Sequence, residues 1–256
     1  MIYFIGAGPG AVDLITVRGA EILKKAGMII YAGSLVNPEL LNYADKANCE
    51  IYNSASMTLD EVMEKLIDGH ERGLVTVRLH TGDPSLYGAI REQIDILREK
   101  NIEFKVIPGV SSFFAAAAAV QTEYTLPDVS QTVIISRMEG RTPVPERESI
   151  KNLASHKSSM VLFLSSGMLK ALSGELIAGG YDEDTPAALV YKASWPDEKI
   201  IRTSLKNLAS DAEAAGINKT ALVLVGEFLN DKEHNNYKLS KLYDEKFSHG
   251  FRQAKA

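Results

Sequence analysis

Apolar residues along this chain come in short β-branched runs that alternate with stretches of helical periodicity. The runs at 1–6, 28–31, 49–52, 74–79 and 104–107 have the length and the Ile, Val and Tyr content of buried strands. Residues 12–26 read as a loop and then a helix, and 38–43 as the start of a helix after Asn37. Thr58-Leu59-Asp60-Glu61 is a capping box, and the helix it opens carries Val62, Leu66 and Ile67 on one face. After 79 the strand meets Gly82-Asp83-Pro84 and passes straight into a helix. Asp83 stands at the N-cap, Pro84 at the first helical position, and Ile90, Ile94 and Leu97 form the apolar face. An alanine-rich helix is expected at 113–120. Strands alternating with helices predict a parallel sheet covered on both faces.

Pro127 and the polar residues of 122–130 interrupt this rhythm, which places a domain boundary there: 1–121 and 122–230, then a polar, loosely attached tail at 231–256. The second half repeats the style. Strands are expected at 132–136, 160–164, 187–191, 199–203 and 221–225, and helices at 146–155, 168–178 and 205–215. Gly179-Gly180 stops the second of these helices, and Trp195-Pro196-Asp197 predicts a hairpin between 187–191 and 199–203.

Composition narrows the function. The chain has 256 residues, 45% apolar and 24% charged, which suits a soluble protein with real cores. No apolar run is long enough to cross a bilayer, and 1–6 has no basic region before it, so it reads as a strand and not a signal peptide. A net charge of −5 argues against a general nucleic-acid binder. The single cysteine, Cys49, excludes an intrachain disulfide and a Cys-based metal cluster, and agrees with a cytoplasmic location. The five histidines form no HxH or HExxH pattern, so no protein-held catalytic metal is expected.

Three strand-end loops are candidates for chemistry. Gly6-Ala7-Gly8-Pro9-Gly10 suggests a dinucleotide loop, but Pro9 removes an N–H that a pyrophosphate would need. The next strand ends in Tyr31-Ala32-Gly33, with no acid for a ribose. Taken alone, this loop could be a turn packed on its own domain, Asp83 an ordinary cap, and Ser111 or Ser112 a cap for the alanine-rich helix. Arg18, Arg78, Arg91, Arg137 and Arg141 lie beside these loops, and as a group they could bind a substrate with several carboxylates.

Taken together, the loops resemble a known family. Gly6-Ala7-Gly8-Pro9-Gly10 followed by Leu14-Ile15-Thr16-Val17-Arg18-Gly19 resembles the first signature of the tetrapyrrole (corrin/porphyrin) methyltransferases. Arg78-Leu79 with Gly82-Asp83-Pro84 looks like the second, and Pro108-Gly109-Val110-Ser111-Ser112 like the third. Within the family, Tyr31-Ala32-Gly33-Ser34-Leu35-Val36, Ser56-Met57-Thr58-Leu59, Leu79-His80-Thr81-Gly82 and Arg137-Met138-Glu139-Gly140-Arg141 look like the precorrin-4 C11-methyltransferases of cobalamin biosynthesis.

The resemblance implies an α/β fold of two αβα domains, the class III tetrapyrrole methyltransferase fold, with the active site in the cleft between them. It implies S-adenosyl-L-methionine as donor, S-adenosyl-L-homocysteine as product, a tetrapyrrole substrate with or without cobalt, and a homodimer without nucleic-acid or membrane partners. By position, the implied cofactor contacts are Pro9, Gly82, Asp83, Leu86, Ser111 and Ser112, then Ser165, Ala193, Thr220 and Ala221. Arg18, Tyr31, Arg78 and Arg141 are the candidates for the substrate, and no residue is assigned as a general base. Rival readings are another methyltransferase of the same fold, such as a uroporphyrinogen-III C-methyltransferase, and a non-catalytic cofactor-binding module. A dinucleotide oxidoreductase is disfavoured by Pro9.

Overall fold

The computed structural model describes residues 1–230 and 238–254. The chain divides into two compact units, Met1–Ala115 with Lys192–Asp197, and Ala116–Tyr191 with Glu198–Ala256.

The first unit is built on a parallel sheet of β1 (Ile2–Gly6), β2 (Met28–Tyr31), β3 (Glu50–Asn53), β4 (Thr76–His80) and β5 (Phe104–Ile107), in the order β3-β2-β4-β1-β5. Side chains alternate across each strand, so the continuous apolar runs feed two cores. Ile5, Ile29, Val77 and Leu79 meet Ala20 and Leu23 of α1 (Val17–Leu23) and Leu40 and Leu41 of a 3₁₀ turn, Pro38–Tyr43. On the opposite face Ile2, Phe4, Met28 and Ile30 meet Val62, Met63 and Leu66 of α2 (Leu59–Glu71) and Ile94 and Leu97 of α3 (Ile90–Glu99). Thr58 and Glu61 complete the capping box at the start of α2. The alanine-rich α4 (Ser112–Ala119) follows β5.

The expectation for α3 needs correction. It does not start at Asp83–Pro84 but at Ile90. Asp83 turns its carboxylate onto Ser85 and Gly109 instead, and Tyr87 and Ala89 adopt φ of 55° and 49°. Left-handed residues cannot propagate a right-handed helix, so the helix waits until they are passed. The segment after Asn37 is likewise a 3₁₀ turn, with Asn37 accepting from the Glu39 N–H as its cap.

The second unit departs from the parallel expectation. Its strands are β6 (Val133–Arg137), β7 (Ser159–Phe163), β8 (Pro186–Tyr191), β9 (Lys199–Ser204) and β10 (Ala221–Val225), ordered β6-β7-β10-β8-β9. Only β6 and β7 pair in parallel. The connection from β8 to β9 is too short for a crossover, so the two must pair antiparallel, as the expected hairpin does. Met160, Leu162, Leu189, Val223 and Val225 share one core with Ile150 and Ala154 of α5 (Ile150–Ala154), Leu172 and Leu176 of α6 (Leu169–Ala178) and Leu208 of α7 (Leu208–Ala214). The helix expected at 146–155 is split. A 3₁₀ turn, Glu146–Glu148, precedes Ser149, whose hydroxyl caps α5. Part of the expected polar tail, 231–237 and 255–256, lies outside the described residues.

Strand β4 carries three polar side chains into the layer under α2 and α3, Thr76, Arg78 and His80, of which two are ionisable. Arg78 and His80 occupy positions paired with Phe4 and Gly6, opposite in facing to Val77 and Leu79. His80 is 5% exposed and its ring stacks 6.1 Å from that of Phe4. Burial, reinforced by the Arg78 charge, lowers the His80 pKa to about 3. The imidazole is therefore neutral in the fold, whereas in the unfolded chain it titrates near its ordinary value of 6.5. As pH falls below 6.5 the unfolded chain takes up a proton that the fold refuses, so stability is lost toward pH 3, at about 1.4 kcal/mol per pH unit. Urea midpoints measured across this window should show a shallower pH dependence in His80→Phe than in the wild type; equal slopes would mean that His80 is not buried neutral.

Candidate active site

The carboxyl ends of all five strands of the first unit lie on one edge of the sheet. The chain leaving β1 packs α1 on one face, while the chain leaving β4 packs α3 on the other. β1 and β4 are neighbours, so a crevice opens between their loops, as at the switch point of an open α/β sheet.

The loops after β1, β4 and β5 interlock at this crevice. The Ala7 N–H donates to the His80 carbonyl at 2.7 Å, the Gly8 N–H to that of Gly82 at 3.2 Å, and the Gly82 N–H to that of Gly8 at 2.8 Å. Gly8 and Gly82 make this two-way bridge at φ of 79° and 59°, a region open to glycine at no steric cost. Gly109 closes the third side: a Cβ there would fall 2.1 Å from the Gly82 oxygen and 2.7 Å from the Gly6 Cα. Asp83 then joins two loops. Its Oδ2 accepts the Gly109 N–H at 2.8 Å, and its Oδ1 accepts the Ser85 N–H at 2.8 Å and the Ser85 hydroxyl. Burial pushes the Asp83 carboxyl up, but the donors from Ser85 and Gly109 outweigh it and the pKa is lowered.

The remaining predicted residues of this unit fall around the same edge, with one exception. Pro9 and Ser111 are buried, Ser112 and Leu86 half-buried, and a Cβ on Gly82 would stand 3.6 Å from the Ser111 Cα and 3.7 Å from the Ser112 nitrogen. Tyr31 ends β2 beside Leu79, and Arg18 is exposed in the first turn of α1. Arg78 is the exception. It is 8% exposed, and its guanidinium donates to the Ile30 carbonyl at 3.2 Å inside the layer under the helices. The strand's alternation turned it away from the loops, so it does not face solvent as a substrate-binding cation would.

Ala193 also belongs here, because Lys192–Asp197 is part of the first unit. This turn holds the β1 loop. The Trp195 indole N–H donates to the Pro9 carbonyl at 3.0 Å, and the Ala11 N–H donates to the Ser194 hydroxyl at 3.0 Å. Neither contact was foreseen, although a lone tryptophan in a turn between two strands was a visible signal.

In the second unit, β10 runs opposite to β7 and β8, so its start shares an edge with the ends of β6, β7 and β8. Ser165, Thr220 and Ala221 therefore lie along one edge, with the loop that carries Arg141. Ser165 is fully buried; it donates to the Phe163 carbonyl at 2.7 Å and accepts the Met138 N–H at 2.9 Å. Its hydroxyl is thus spent in shaping the unit. Thr220 is exposed at φ 56°, and Arg141 is exposed in a loop whose carbonyls, of Thr142 and Pro143, bind the Arg137 guanidinium at 3.1 Å and 2.7 Å.

Residues 1–209 match the family of Tetrapyrrole (Corrin/Porphyrin) Methylases. The chain belongs to this family. It is 53% identical over 253 residues to a cobalt-precorrin-4 C(11)-methyltransferase of Methanocaldococcus jannaschii, covering 99% of this chain and 96% of that one. Among solved structures, a cobalamin biosynthetic enzyme, cobalt precorrin-4 methyltransferase, superposes with a TM-score of 0.87 at 47% identity, covering 90% of this chain and 95% of that chain. A uroporphyrin-III C-methyltransferase of Thermus thermophilus complexed with S-adenyl homocysteine superposes at 0.74 and 25% identity, covering 89% of this chain and 98% of that chain. The two-sheet α/β architecture is that of the methylase family.

Asp83 is thus a bolt between loops before it is anything else. Asp83→Ala strips acceptors from three donors, one of them a half-buried backbone N–H, and should cost about 1–3 kcal/mol of stability in urea titrations. An unchanged midpoint would show that the β4 and β5 loops hold together without it.

Proposed function

We propose that this methylase transfers a methyl group from S-adenosyl-L-methionine to C11 of cobalt-precorrin-4 in cobalamin biosynthesis, releasing S-adenosyl-L-homocysteine and cobalt-precorrin-5. Near-full-length similarity to cobalt-precorrin-4 methyltransferases supports the substrate. The cobalt is part of the substrate; among the described residues no cluster of three or more His, Cys, Asp or Glu could hold a metal ion.

The observation that carries the donor is the interlocked crevice of Gly8, Gly82, Gly109 and Asp83. Pro9 offers no N–H and its carbonyl is already taken by Trp195, so the β1 loop is a poor nest for phosphates. It suits a nucleoside without them. Asp83 retains acceptor capacity beyond its three protein donors, and its lowered pKa keeps it ionised at neutral pH. It would accept from the donor's hydroxyls or ammonium. Pro9, Gly82, Leu86, Ser111, Ser112 and Ala193 in the first unit, and Ser165, Thr220 and Ala221 in the second, would complete its contacts.

When bound, the donor supplies a methyl already activated on a sulfonium. The protein's contribution is then binding and alignment, and the rate comes from holding the reacting atoms in line and keeping water out. Overall, a carbon–carbon bond forms as the carbon–sulfur bond breaks, the bonding pair stays on sulfur, and the methylated macrocycle gives up a proton. Arg18 and Arg141, both exposed cations, would meet the acetate and propionate groups of the substrate, and Tyr31 would be a further substrate contact. The same reading has the chain acting in the cytoplasm as a homodimer, which sedimentation equilibrium tests.

Two measurements decide. Incubated with labelled S-adenosylmethionine and cobalt-precorrin-4, the protein should place label on C11; label at another carbon, or none, overturns the substrate. S-adenosylhomocysteine at a hundredfold excess over its Kd should stabilise the fold by about 2.7 kcal/mol, and NAD should not. Stabilisation by NAD alone would return the site to dinucleotide chemistry.

A further inference from the structure

We propose that Trp195 is a positioning residue for the methyl donor: a clasp that sets the Pro9–Gly10 backbone before the donor binds. This rests on the reading of the β1 loop as part of the donor site.

The β1 loop has little means of holding itself. Pro9 lacks an N–H, and the carbonyls of Pro9 and Gly10 and the N–H of Ala11 all find their partners in distant parts of the unit. Asn37, 8% exposed, donates to the Gly10 carbonyl at 2.9 Å and uses its other amide atom to accept the Glu39 N–H at 3.0 Å. The other two partners come from the 192–197 turn: the Trp195 indole on Pro9 and the Ser194 hydroxyl on Ala11, each at 3.0 Å. The indole also closes on Gly10. A Cβ on that glycine would fall 2.1 Å from the Trp195 Cδ1 and 2.3 Å from its Nε1. Gly10 is therefore glycine because of the tryptophan, and the tryptophan reads the position of the loop through both a hydrogen bond and a contact face.

The turn is itself braced. The Trp195 N–H donates to the Lys192 carbonyl at 3.0 Å, Lys192 pairs with Asp197 at 2.6 Å, and its ammonium stands 5.4 Å from the centre of the indole ring. Lys192 and Ser194 hold φ of 48° and 68°, which side-chain-bearing residues adopt only when their surroundings impose it. A strained, cross-braced turn that presses one side chain on Pro9 and Gly10, just past the Gly8–Gly82 bridge, preorganises that part of the loop. Ala193, a donor contact by family position, sits two residues from the indole on the same turn. The order that Trp195 imposes on Pro9 is order that the donor does not have to impose on binding.

Trp195 is the sole tryptophan of the chain, so tryptophan emission comes from this turn alone. The intact protein should show a saturable change in tryptophan emission on titration with S-adenosylhomocysteine, with a midpoint matching the calorimetric Kd. Trp195→Phe keeps a ring against Gly10 but loses the donor to Pro9, and should weaken S-adenosylhomocysteine binding about three- to tenfold, the value of one hydrogen bond. The donor KM should rise in step, and kcat should fall by less than KM rises. Gly10→Ala keeps the tryptophan in the chain but pushes its ring off the loop, and should shift its emission to the red and raise the donor KM as well. A purely structural tryptophan would lower the melting temperature of Trp195→Phe and leave Kd and KM at their wild-type values, which would overturn the proposal. If the wild-type protein gave neither heat nor emission change with S-adenosylhomocysteine, the donor reading would fall and this inference with it. Binding by the wild type that both variants match would sink Trp195 alone.

Discussion

Everything at the candidate site depends on how three neighbouring parallel strands end. A parallel sheet leaves the chain emerging from each strand on the same edge, with backbone groups that must be paired anew. Here β1, β4 and β5 solve this together. Gly8 and Gly82 exchange hydrogen bonds, Gly109 lies against both Gly6 and Gly82, and the Asp83 carboxylate draws in the Gly109 N–H. The spacing leaves no room for a Cβ at Gly6 or Gly109. The loops are consequently one object and not three, and a ligand resting on them meets backbone held to within hydrogen-bond distances.

That object is electrostatically specific. Its acid is ionised and partly occupied, its first loop carries a proline where an anion nest would need a donor, and the two candidate arginines of this unit differ sharply in burial. Arg78 is enclosed, with its pKa pulled down to about 10 by burial, whereas Arg18 stands in solvent. An ionised acid on a crevice without a phosphate nest suits a cationic ligand better than a phosphorylated one.

The second unit reaches a comparable arrangement by other means. Because β10 runs against its neighbours, Thr220 and Ala221 at its start meet the same edge as the loops that end β6 and β7. Ser165 pins Met138 across those two loops much as Asp83 pins Gly109 in the first unit. In both units a short polar side chain at a strand end is used to tie adjacent loops, which leaves backbone facing outward.

Much of this was legible in the sequence, for local reasons. Strands with apolar β-branched runs, the Thr58 capping box and the glycine loops are each decided by neighbours within a few residues. The signatures around Gly6, Gly82 and Gly109 sufficed to identify the methylase family. What only the tertiary structure decided has partners far apart in the chain. Asp83 looked like a helix cap because its best local donor was the next turn; Gly109, 26 positions on, competes for the carboxylate, and the helix moved to Ile90. Arg78 looked like a loop cation until the register of β4 put it under the helices. The pairing direction of β10 and the grip of Trp195 on Pro9, 186 positions away, leave no periodic trace at all. The chain's own pattern determines which segments become strands, helices and loops; which polar groups find one another is settled only when folding brings distant donors and acceptors to compete for the same atoms.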